Sequence, residues 1–84
     1  MKKIIAFYAF WDTPSQTTVL KTLKTLKNNG VINCEFYDVD KEIELVKKYK
    51  VINVPTVIFT KDGNEYERLT GLLPSGIILD VYNQ

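Results

Sequence analysis

From Lys3 to Phe10 the chain runs through apolar, strand-forming residues, and the turn Trp11-Asp12-Thr13-Pro14-Ser15 follows at once. An apolar run without alternation suits a central strand covered on both faces, since neither side then meets water. Asp12 or Thr13 can cap a helix, and Pro14 suits its first turn, where no backbone donor is needed. A buried strand that feeds straight into a helix restricts the chain to the α/β class.

The rest of the pattern fits that start. From Ser15 to Asn29, Val19, Leu20, Leu23 and Leu26 recur at helical spacing, with Lys21, Lys24 and Lys27 on a separate, solvated stripe. Asn28-Asn29-Gly30 supplies a helix stop. Val31 to Val39 reads as a second strand with Ile32, Cys34 and Phe36 on one face. A second helix over 41–49 turns Ile43, Val46 and Tyr49 toward the sheet, with Leu45 flanking them. Val54 to Thr60 is a third strand, Asp62-Gly63 a hairpin turn, and Glu65 to Leu69 a fourth strand. Gly71 breaks the chain, and Pro74-Ser75 opens a last helix with Ile77, Ile78, Val81 and Tyr82 as core candidates. The order is β-α-β-α-β-β-α. Two crossovers of βαβ type imply parallel pairing in the first half, and the hairpin demands an antiparallel pair. The expected architecture is a four-stranded mixed sheet with helices on both faces, in a single domain over 1–84.

Composition narrows the function. A net charge of +1 favours neither nucleic acid nor a membrane surface as partner, and no apolar run nears the roughly 20 residues of a membrane span. Met1-Lys2-Lys3 before an apolar run hints at a leader, but Trp11-Asp12 interrupts it and no small-residue cleavage site follows. The expectation is a cytoplasmic protein and a monomer. One cysteine and no histidine exclude an intramolecular disulfide, a Cys/His metal site and histidine-based activation. No cofactor or metal is expected. Cys34 falls on the inward parity of its strand and reads as a small core hydrophobe.

Taken in order, Phe7-Tyr8-Ala9-Phe10-Trp11, the Trp-x-x-Pro turn, Asp38-Val39-Asp40, Val54-Pro55-Thr56, Asp62-Gly63 and Gly71 resemble the thioredoxin family. Members carry Trp-Cys-Gly-Pro-Cys at the strand-to-helix turn and a cis-proline opposite it. The resemblance implies a thioredoxin-like fold without the family's N-terminal strand and helix, at the size of glutaredoxins or small archaeal relatives. It also implies a peptide-binding groove of Trp11, Thr13, Pro14, Val54, Pro55, Thr70 and Gly71. In that groove the backbone before the cis-proline pairs with an extended segment.

Asp12 and Ser15 stand where the resemblance places the two cysteines. Thiol–disulfide exchange needs an attacking thiolate and a resolving thiol, and neither carboxylate nor hydroxyl can substitute. The family's buried acid and its partner lysine correspond to Ala6 and Phe36 here, so four coupled positions depart together. That pattern points to a natural loss of dithiol chemistry more than to a two-site cysteine replacement. The reading is a redox-inactive module, with no catalytic residue, that holds a protein or peptide segment. Two alternatives stay open. One is a thiol–disulfide oxidoreductase by ancestry, or a cysteine-substituted variant of one. The other, disfavoured by the lack of room for a second-substrate domain, is a glutathione-binding enzyme using the Ser15 hydroxyl.

Overall fold

The computed structural model describes residues 1–84. Strand β1 spans Lys2–Tyr8. Helix α1 covers 13–28 in three segments: α-helical over Thr13–Ser15, π-helical over Gln16–Leu23 and α-helical again over Lys24–Asn28. Then come β2 (Cys34–Asp38), α2 (Ile43–Lys48), β3 (Thr56–Lys61), β4 (Asn64–Thr70) and α3 (Ser75–Tyr82).

The four strands lie in the order β2-β1-β3-β4. β1 pairs with β2 in parallel and with β3 antiparallel, and β3 pairs antiparallel with β4. Only the first crossover therefore joins parallel neighbours. The second, from β2 through α2, delivers β3 in the opposite direction on the far side of β1, which corrects the expectation of two parallel crossovers. Six residues of helix carry the chain past β1, and periodicity holds no information on the direction of return. Between β3 and β4, Asp62 (φ 52°) and Gly63 (φ 86°) are both left-handed, the geometry that a two-residue hairpin turn needs to match the twist of its strands.

The central strand separates two apolar layers. Ile4, Ala6, Val57 and Phe59 face α1 and α3, where Val19, Leu23, Ile32, Cys34 and Ile78 close over them. Ile5, Phe7 and Ile58 face α2 and meet Leu45, Val46, Tyr49 and Val51. β1 and β3 are thus covered on both sides, which is why their sequences do not alternate. Two of the helix residues expected in the core lie largely outside it: Ile43 is 56% exposed and Ile77 is 47% exposed. Each sits in its helix's first turn, beyond the reach of the sheet.

β2 and β4 are the sheet edges. On β2 the ammonium groups of Lys24 and Lys27 lie 5.6 Å and 5.5 Å from the ring centroid of Phe36. Ala6 and Phe36 are direct partners in the β1–β2 register, so the two positions read as a lost acid and lysine do adjoin.

Candidate functional site

The C-terminal end of β1 carries the turn. Asp12 keeps extended backbone angles (φ −100°, ψ 119°) and caps α1, its carboxylate accepting from the Ser15 backbone N–H at 2.9 Å. The same oxygen, Oδ2, accepts the Ser15 hydroxyl at 2.9 Å, and that hydroxyl oxygen accepts the Ala9 N–H at 3.2 Å. Ser15 is fully buried, and its hydroxyl is engaged both as donor and as acceptor. It therefore presents nothing to a ligand, which takes away the support for a glutathione-activating role.

Trp11 is 69% exposed, and its indole N–H donates to Asp40 Oδ2 at 3.0 Å. That bond anchors the ring across the end of the sheet. Beneath it opens a groove of about 230 Å³ lined by Trp11, Val39, Val46, Val51, Ile52 and Val54, apolar throughout. Ile52, at its lip, is 90% exposed.

The loop opposite the turn holds a cis Val54–Pro55 peptide. Pro55 is buried, and its carbonyl accepts the Gly71 N–H at 3.1 Å. The Thr56 hydroxyl donates to the Asn53 carbonyl. Val54 itself makes no backbone hydrogen bond, so both its N–H and its C=O stay free at a half-buried position. Gly71 has φ 85°, a left-handed conformation that a side chain would strain. Thr18 clamps this loop to α1: its hydroxyl donates to the Gly71 carbonyl at 3.3 Å and accepts the Leu73 N–H at 3.0 Å.

Of the residues that sequence reasoning placed in the groove, Trp11 and Val54 line the apolar pocket. Thr13 is exposed and Pro14 half-buried, both in the first turn of α1. Pro55 lies beneath the surface, while Thr70 ends β4 exposed and Gly71 follows it. Sequence reasoning missed Asp40, Val39, Val46, Val51 and Ile52, which meet Trp11 only through folding. It also missed Thr18, a polar residue fully buried on the apolar face of α1.

Cys34 stands apart. It pairs with Ile4 at the opposite end of the sheet, whereas the turn leaves from Tyr8, which pairs with Asp38. Four residues of strand separate the two ends, about 13 Å at the usual rise. The thiol is 2% exposed, and burial pushes its pKa up to about 12. A thiolate needs the reverse environment. Cys34 is not a second redox centre at the turn.

A helix N-terminus facing a cis-proline loop, across the end of a β2-β1-β3-β4 sheet, defines the thioredoxin-fold class. A sequence profile of the thioredoxin-like domain matches residues 2–84, and the chain belongs to that family. It is 26% identical over 83 residues to thioredoxin of Mycoplasma pneumoniae, covering 99% of this chain and 81% of that protein. To thioredoxin-1 of Caenorhabditis elegans it is 41% identical over 70 residues, covering 81% of this chain but only 59% of the relative. Among solved structures, a mutant thioredoxin from Halobacterium salinarum superposes with a TM-score of 0.87 at 28% identity, covering 98% of this chain and 72% of that one. Thioredoxin of Fasciola hepatica gives 0.82 at 27% identity, covering 98% and 78%.

Proposed function

We propose that this domain holds an extended protein segment against Val54 and carries out no thiol–disulfide exchange at the turn. The supporting observation is the free N–H and C=O of Val54, set beside an apolar groove that Trp11 walls. An extended segment can satisfy both backbone groups at once and place a side chain in the groove, as in strand addition. The chemistry of the turn agrees. Asp12 and Ser15 bond to one another and to the backbone, a capping arrangement with no electron-carrying atom. The relatives named above are thioredoxins, and this chain shares their scaffold while its own residues at the turn lack sulfur. The partner is a protein or peptide, and neither nucleic acid nor membrane is part of this reading.

Two measurements test the proposal. Protein carrying Cys34→Ala is mixed with a disulfide substrate and a reductant that regenerates thioredoxins. Turnover at the rate of a dithiol enzyme overturns the redox half. Extended peptides are then titrated under strong reductant, with amide shifts read at Val54 and Trp11. Shifts there, weakened by Trp11→Ala, are expected; their absence with every peptide tried overturns the binding half.

A further inference from the structure

The rim of the Trp11 groove changes sign from one end to the other. At the Trp11 end, Asp12 spends only Oδ2 on Ser15, and Asp40 spends only Oδ2 on the Trp11 indole. The Oδ1 oxygens accept no hydrogen bond from elsewhere in the chain. The ion pairs of the molecule join Met1 to Asp62, Lys3 to Glu35 and Arg68 to Glu65, and leave both of these carboxylates without a cation. Asp40 is exposed and Asp12 half-buried, so both charges are reachable. At the other end the chain neighbours of the lining residues are basic: Lys47 follows Val46 and Lys50 precedes Val51, both exposed.

We infer that the segment bound at this site pairs an apolar side chain, seated in the groove, with a lysine or arginine held by Asp12 and Asp40. The inference rests on the segment-binding reading above and names its partner's chemistry. The positive end of α1 opposes a cation here, but it amounts to roughly half a unit charge against two full carboxylates, so attraction wins. An acidic side chain would meet two carboxylates that are in no ion pair, with Lys41, which follows Asp40 in the chain, as the nearest cation in sequence. Asp12 thus takes a recognition role at a position where a dithiol enzyme would form a covalent bond.

Trp11 is the sole tryptophan, so its fluorescence reports occupancy directly. The probes are end-blocked, tryptophan-free peptides with one central leucine. Each carries Lys, Ala or Glu on one flank of the leucine, and a second set moves that residue to the other flank. In one set the Lys peptide is expected to bind about fivefold tighter than its Ala counterpart, the scale of an exposed ion pair, with Glu weakest. That preference shrinks at high salt. The double variant Asp12→Asn, Asp40→Asn keeps a helix cap and an acceptor for the indole, and is expected to lose the Lys preference. Equal affinities for Lys, Ala and Glu peptides in both sets, or a preference that survives the double variant, overturns this inference while segment binding stands. Failure of every peptide to bind overturns both.

Discussion

Ser15 is fully buried at the head of α1. Its buried Oγ joins Asp12 to the Ala9 N–H, so Ser15→Ala leaves that amide without a partner. The cost expected is about 1–3 kcal/mol, read from urea unfolding midpoints. Cys34 gives a second residue-scale expectation. Its thiol pKa is raised to about 12 by burial, so between the ordinary thiol value and 12 the unfolded chain loses a proton that the folded chain keeps. Stability therefore declines as pH rises through that window, by up to about 1.4 kcal/mol per pH unit from this one group. Tyr37, whose hydroxyl donates to Glu35, is likewise held up at about 12 and adds its own slope above the usual tyrosine range. Cys34→Val is expected to flatten the early part of that decline, and an unchanged slope would refute the assignment. The inward position of Cys34 was legible from parity alone. The bond between Asp12 and Ser15 was not, because spacing gives the positions of side chains and not the tie between them.

Among the elements, helix and strand order were readable throughout, since each segment carries its own period and its own punctuation. The failures have physical reasons. Ile43 and Ile77 match helical spacing, yet a first turn can overhang the sheet it packs on. The π-helical stretch Gln16–Leu23 widens the turn where Thr18 reaches across to the loop after β4, a contact between distant segments with no local sign. Thr18→Val keeps the shape of the side chain but removes its bonds to Gly71 and Leu73. About 1–2 kcal/mol of stability should go with it, and the Leu73 amide should exchange faster with solvent. If that amide keeps its protection, the clamp is not what holds the loop. The groove was only partly legible for the same reason: Trp11 and Val54 announce themselves, whereas Val39, Val46 and Val51 belong to it through tertiary approach.

For the molecule as a whole, the scaffold and the chemistry of its turn are separable. Asp12 and Ser15 stand three residues apart at the head of α1, the spacing of the family's Cys-Gly-Pro-Cys, so the double variant Asp12→Cys, Ser15→Cys should close a disulfide across the turn. Mild oxidation should remove two hydrogens by mass, and the reduced form should then turn over a disulfide substrate faster than the parent protein does. A pair that stays open would mean that the turn has drifted from the geometry of its relatives. At the rim of the sheet, Lys24 and Lys27 resting on Phe36 keep water and charge over an otherwise sticky border. Acetylating both would strip that guard, and concentrated protein should then stack edge to edge into ribbons that scatter light.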